Sequence, residues 1–404
     1  LSRGGPAVAM IAVLAMIAAL MGSSPASAAT TSVPQEEPAT TVTSDPLPTA
    51  QIDGIVWEQA ASSTTVYAGG NFSNARPAGA APGQNLTPRS NLLAYNLSTG
   101  ALVSSWDPAA NGNVLALALS PDGSRLYVGG QFTSIDGQAR YRLAALDAAT
   151  GELISSWRPT ANTTVQDIVA TNSTVYVVGE FSNIGGVPRP GIAALSASSG
   201  AVLDFNPLLT GGYGARSVVL SPDASKLVVA GSFTATNGST DPGRGMAALD
   251  AVTGESLPWS VNSVIRNAGT SVYGSGYDFY GSDIDDGFEG AFRADWSDGE
   301  MVWMEDCHGD TYSVHPFGGA VYTATHAHYC GNIGEFPHLN PWHLNHSLAF
   351  DKEPSDRLIT PDIHGYRSFP GHPAGRLLHW YPMWATGKAS GVGQAGWDIT
   401  SSGD

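Results

Sequence analysis

The chain has 404 residues, of which 13% are charged, with 48 Gly and 26 Pro and a formal net charge of −17 at pH 7. An acidic surface repels nucleic acid and anionic lipid, so neither is expected as a partner. No long segment carries apolar residues at helical spacing; short apolar runs rich in Val, Leu and Tyr dominate, and with so many glycines they predict an all-β protein of tight turns.

At the front, Arg3 is the only charge before an apolar run from Ala7 to Met21, and Ala26-Ser27-Ala28 supplies small residues for cleavage. This pattern predicts a secretory signal over 1–28, cut after Ala28. The run falls short of the ~20 residues a bilayer requires. No other stretch is apolar enough to span, so the expected product is secreted, with no membrane span after cleavage. The chain opens with Leu, so its true start is read as either missing or miscalled. Residues 29–50 are dominated by Thr, Ser, Pro and Glu and read as a solvated linker, ahead of a folded domain at 51–404.

That domain repeats itself. Val66-Tyr67-Ala68-Gly69-Gly70-Asn71-Phe72 returns as Leu126-Tyr127-Val128-Gly129-Gly130-Gln131-Phe132, then as Val175–Phe181 and Leu227–Phe233, with weaker copies at Val272–Gly276 and Val321–His326. The Phe residues lie 60, 49 and 52 positions apart. After each copy comes an apolar strand, a turn such as Ser98-Thr99-Gly100 or Ala149-Thr150-Gly151, and a strand ending in an aromatic: Trp106, Trp157, Phe205, Trp259, Trp303. Before two copies, Pro121-Asp122-Gly123 and Pro222-Asp223 mark turns in which Pro presets φ. Four short strands per period of ~40–50 residues predict a β-propeller of about six to seven four-stranded blades. First strands are expected near Ile52, Val114, Val165, Val218, Val264, Thr311 and Gln394. The last stands alone before Asp404, so the chain is expected to be truncated within a seventh blade.

These motifs resemble those of secreted bacterial propeller-repeat proteins whose blades carry V-Y-V-G-G-x-F, and the run at 120–128 is similar to the wider YVTN and quinoprotein-like propeller class. The stretches His326–Cys330, Leu377–Pro382 and Gly393–Trp397 look specific to such a family. The resemblance implies a propeller, often with further modules, and no settled activity.

All ten His lie between His308 and His379, and both cysteines, Cys307 and Cys330, lie near the start of that stretch. Cys307 precedes one strand of a hairpin and Cys330 follows the other. Antiparallel pairing sets these positions side by side, and an exported cysteine pair is ordinarily oxidised, so a disulfide is expected. The same geometry is expected to gather His308, Asp310, His326 and His328. Alternate strand residues share a face, so His326, His328 and Cys330 are expected to point the same way, a set suited to Zn²⁺ or Cu²⁺. The favoured reading is a disulfide with polar rim histidines, and it is partly compatible with the first, since a disulfide leaves His308, Asp310, His326 and His328 free. Asp283, Asp285, Asp286 and Glu289 form an acidic run that either wraps Ca²⁺ or is a solvated loop.

No G-x-S-x-G, H-E-x-x-H or phosphate-cradling loop is present. The repeats carry no catalytic constellation, which favours an extracellular binding or scaffold module for glycan or protein ligands. The alternative is a secreted enzyme, a metal-assisted hydrolase or lyase or an oxidoreductase, with its site on the blade spanning 278–346.

Overall fold

The computed structural model describes residues 40–266, 273–276 (backbone), 288–341, 343–382 and 398–402. The expected signal segment lies outside the described residues.

Each repeat folds as one antiparallel blade, with the V-Y-x-G-G segment as its second strand. Blade one holds Ile55–Ala61, Thr65–Asn71 and Leu92–Asn96, and the pairing Tyr95↔Leu102 begins a fourth strand. Blade two holds Val114–Leu119, Arg125–Gly130 and Leu143–Asp147, and blade three Val165–Ala170, Thr174–Gly179 and Ile192–Ser196. Blade four is Ala215–Leu220, Lys226–Gly231, Met246–Asp250 and Ser256–Leu257. Blade five contributes Tyr273–Gly276, Gly290–Ala294 and Met301–Glu305. Blade six is Thr311–Phe317, Ala320–Ala327, Asn345–Leu358 and Pro373–Leu378. The protein is an all-β propeller.

The core is divided among the blade interfaces, which is why the sequence repeats. Tyr67, Leu92 and Trp106 of blade one pack against Val114, Leu117 and Val128 of blade two. Blade two meets blade three through Tyr127, Leu143, Trp157, Val165 and Ile168, and blade three meets blade four through Tyr176, Ile192, Phe205, Val218 and Leu227. Within a blade the strand-two tyrosine leans on the terminal aromatic, with ring centroids 5.3 Å apart for Tyr67–Trp106, 5.2 Å for Tyr127–Trp157 and 5.0 Å for Tyr322–Trp380. Tyr67 and Trp106 then both donate to the carbonyl of Ala148 in the next blade.

The Gly-Gly pair has the same origin. A Cβ on Gly129 would stand 2.7 Å from Val165 Cγ1 and 2.9 Å from Ile168 Cδ1 of the next blade. Gly129→Val is therefore expected to destabilise the fold by about 1–3 kcal/mol through overpacking. Thermal denaturation measures it; an unchanged midpoint would show that blades two and three do not meet this closely.

Each described first strand carries a bulge: Val56/Glu58, Val114/Ala116, Val165/Asp167, Ala215/Ser217 and Thr311/Ser313. Neighbouring first strands pack side by side around the ring centre. Glu58 and Asp167 are the residues just past two of these bulges.

Blade five departs from expectation. The sequence places a first strand near Val264, but that residue follows a 3-10 turn, Ser260–Ser263. The cause is Asn262, 1% exposed. Its Nδ2 donates to the carbonyl of Arg244 and its Oδ1 accepts from Gly243 N at 2.8 Å, so the side chain ties the backbone to blade four in place of a ladder.

Between blades six and one lies the segment 398–402, where the sequence places the opening of a seventh blade. Asp398 Oδ2 accepts from Gln59 N of blade one at 3.0 Å, while Ile399 N donates to Ser313 Oγ of blade six at 3.2 Å. Ile399 packs beside Phe317, Tyr322 and Trp380. The stretch read as a linker is described from Thr40 onward, and there it touches the propeller at two points. Val42 N donates to Tyr322 Oη at 2.8 Å and Ala50 N to the carbonyl of Gly100 at 2.8 Å.

Candidate functional site

Blade six departs from its siblings in two places, and the departures meet. Its first hairpin turns at Gly318, whose φ of 58° suits glycine, and pairs Thr311 with Thr325. Pairing continues past the strand ends: His326 N donates to the Asp310 carbonyl, His328 N to the His308 carbonyl, and His308 pairs with Tyr329. Cys307 and Cys330 close the end as a disulfide, with Cα atoms 4.3 Å apart. The expected bond is present.

The second departure is the connection between the last two strands. In blades one to three it is a short Gly turn; in blade six it is the excursion from Ile359 to His372. Thr360 N donates to the Asn332 carbonyl at 2.9 Å, which folds the excursion back over the disulfide. Within it, Asp362 Oδ1 accepts from His364 N at 2.7 Å and Tyr366 N at 2.9 Å, which fixes the backbone that carries both rings.

Six rings thereby line one recess. His308 stacks between Tyr329, at 5.6 Å with 3° between planes, and Tyr366, at 4.6 Å with 29°. Tyr329 meets His364 edge-on at 4.8 Å, and His338 lies 5.0 Å from His364. His328 lies 5.6 Å from Tyr366 and 5.7 Å from His338. His308 and His328 are buried, Tyr366 and His338 half-buried, and His364 exposed, so the recess has a floor and a mouth.

The floor is polar. His308 Nε2 stands 3.5 Å from Asp362 Oδ2. Burial lowers the His308 pKa to about 4, against the opposing pull of Asp362. Burial, aided by the neighbouring histidines, lowers His328 to about 4. Both rings are therefore neutral at physiological pH. Burial pushes the Asp362 carboxyl up, but the N–H donors of His364 and Tyr366 and the nearby His308 outweigh it, so its pKa falls below the usual range. Beneath lie carboxyls of the opposite kind. Burial raises Asp306 to about 7 and holds Glu305, which accepts from Cys307 N at 3.0 Å, well above its usual value.

Of the four residues expected to cluster, the structure brings His308 and His328 into this recess and sets Asp310 and His326 apart. Asp310 N donates to His326 Nε2 at 3.2 Å, and the Tyr312 hydroxyl lies 2.9 Å from Asp310 Oδ2 and 3.2 Å from His326 Nδ1. Both His326 nitrogens are thereby engaged. Among the described residues, no three of His, Cys, Asp and Glu are placed to hold one metal ion. His326 N and His328 N both donate to the facing strand, as alternate residues do, but the two rings have different partners: His326 meets Tyr312 and Asp310, and His328 meets Tyr366 and His338. Asp283, Asp285 and Asp286 lie outside the described residues, and Glu289 Oε2 accepts from Gly309 N at 3.0 Å.

Asp362, His364 and Tyr366 were not singled out by sequence reasoning, and Tyr329 and His338 stood out only as members of the His-rich stretch. The run of histidines past 330 was the available signal.

No protein-family model matches the chain, and no curated protein matches it in sequence. Among solved structures it is similar to one described as the structure of U3-55K, at 9% identity, covering 84% of this chain and 87% of that one with a TM-score of 0.49. It is also similar to the crystal structure of RRP9 WD40 repeats, at 9% identity, covering 84% and 86% with a TM-score of 0.46. Likeness at this level carries nothing about function. Among the described residues, no helix is long and apolar enough to cross a membrane.

Proposed function

We propose that the protein is a secreted or cell-surface binding propeller that takes a glycan in the recess of blade six. The observation that carries this reading is the set of six rings around the His308–Asp362 floor. Tyrosine and imidazole faces offer stacking surfaces for the C–H faces of a sugar, and a few convergent polar groups fix its hydroxyls. The disulfide and the Asp362 turn hold the rings in place before a ligand arrives, which reduces the ordering cost of binding. The export-type start and the resemblance of the repeats to secreted bacterial propellers support an extracellular setting; secreted protein beginning at Ala29 would establish it.

The intact protein on a glycan array identifies the ligand class. Tyr366→Ala is then expected to weaken binding at least about tenfold, since it removes a stacking face. If no glycan binds, or if Tyr366→Ala binds unchanged, the reading fails.

The pairing of neutral His308 with Asp362 supports a second reading, in which His308 is a general base oriented by the carboxylate. Mass spectrometry of the ligand after incubation separates the two: unchanged ligand favours binding alone, and a cleaved one favours the enzyme.

A further inference from the structure

Blades one to three repeat an arginine at the start of the run into the third strand. Arg89, Arg140 and Arg189 each donate Nη1 to the carbonyl of the residue before them: to Pro88 at 2.7 Å, to Ala139 at 2.8 Å and to Pro188 at 2.9 Å. In blades one and three Nη2 also donates to the run before the terminal aromatic, Arg89 to the Ser104 carbonyl at 3.1 Å and Arg189 to the Leu203 carbonyl at 3.2 Å. In blade one the notch between these runs also holds a counter-charge, for Arg89 Nη1 stands 3.2 Å from Asp107 Oδ1.

Asp107 follows Trp106. The residue after Trp157 in blade two is Arg158, and after Phe205 in blade three it is Asn206. Blade two therefore sets a second arginine where blade one has a carboxylate. Arg140 is 3% exposed, and its Nε and Nη2 have no hydrogen-bond partner among the described residues. Neither Arg140 nor Arg158 has an ion pair with a described residue. Burial and the nearby Arg158 both act to lower the Arg140 pKa. A guanidinium nevertheless keeps its charge, and a buried charge beside a like charge is costly without a counter-ion. This occurs in a chain with 35 acidic and 18 basic residues.

We propose that the blade-two notch is an oxyanion site, in which the Arg140 guanidinium, with its unpartnered Nε and Nη2, and the exposed Arg158 guanidinium hold a carboxylate, sulfate or phosphate group that supplies the counter-charge Asp107 gives in blade one. The site is separate from the recess of blade six. Planar guanidinium groups suit the oxygen pairs of such anions, and two of them at one notch raise selectivity over chloride.

The test is the melting temperature of the full chain, titrated with sodium sulfate against sodium chloride at equal ionic strength. The wild type is expected to show a saturable, sulfate-specific rise of at least about 2 °C, above the general salting effect. Arg158→Asp restores the pairing of blade one; it is expected to melt higher than the wild type without sulfate and to lose the saturable rise. Arg158→Asn, the residue of blade three, is expected to lose at least about tenfold in sulfate affinity, as one of the two guanidinium groups is gone. A wild-type response with no saturable part overturns the proposal, as does a saturable response of equal size in either variant, or an Arg158→Asp protein less stable than the wild type.

Discussion

Replacing Cys307 and Cys330 together by serine is expected to lower the stability of the fold by about 3 kcal/mol, because 22 intervening residues regain the freedom the crosslink denies them when unfolded. Both cysteines are essentially fully buried, at 1% and 0% exposure, so two serine hydroxyls would add a desolvation cost to that loss. The effect should also reach the recess. His308 and Tyr329 pair directly inside the bond, and the turn at Gly331–Ile333 that receives the excursion from Thr360 begins directly outside it. Chemical denaturation of the double variant, beside the wild type with and without reductant, measures the loss, and ligand affinity of the variant reports on the recess. If the denaturation midpoint is unmoved, the bond is not what pins this end of blade six.

The parts legible in the sequence are those that every blade must solve in the same way. A blade buries both faces only by meeting its neighbours, so Tyr67, Trp106, Gly129 and Phe132 have counterparts in other blades and the repeat shows itself. The disulfide was legible for a related reason, since antiparallel register sets the start of one strand beside the end of the next. The recess was not legible, because it is tertiary. Asp362, His364 and Tyr366 sit on an excursion that no other blade has, and only the hydrogen bond from Thr360 to Asn332 and its neighbours bring them to His308. His326 is held by Tyr312 and Asp310 and not by the recess, a choice of partner that strand alternation does not report. At Val264, one buried asparagine overrode the periodicity. A usable signal did exist for the seam: Asp398-Ile399 repeats Asp167-Ile168, and both carboxylates accept the backbone N–H of a neighbouring first strand, Asp398 from Gln59 and Asp167 from Val218 at 2.7 Å.

That seam should make the protein less stable as the pH rises from about 6.5 to 8, with a fall in melting temperature on the order of 5 °C. Burial raises Asp167 to about 7, Asp398 to about 6, and Glu58 well above its usual value, the last helped by the like charges of Asp398 and Asp167. Under the disulfide, burial likewise raises Asp306 to about 7 and lifts Glu305. A carboxyl that holds its proton more tightly folded than unfolded contributes stability that is complete below the unfolded pKa and is lost as the pH rises through the folded one. Histidines act in the opposite sense. His308 and His328, lowered by burial to about 4, contribute stability that is complete above about 6.5 and is lost as the pH falls. Below pH 6.5 the two sets oppose each other; above it the histidines are neutral in both states and the carboxyls act alone. As Asp167 ionises beside Asp398, negative charge builds up close to Glu58, where the hydrogen bond from Gln59 N joins the segment at 398–402 to blade one. Asp167→Asn keeps the shape and removes the carboxyl raised to about 7, so its melting temperature should fall less steeply over the same range. A wild-type stability that is level or rising between pH 6.5 and 8, or an Asp167→Asn slope equal to that of the wild type, would show that these carboxyls do not govern the seam.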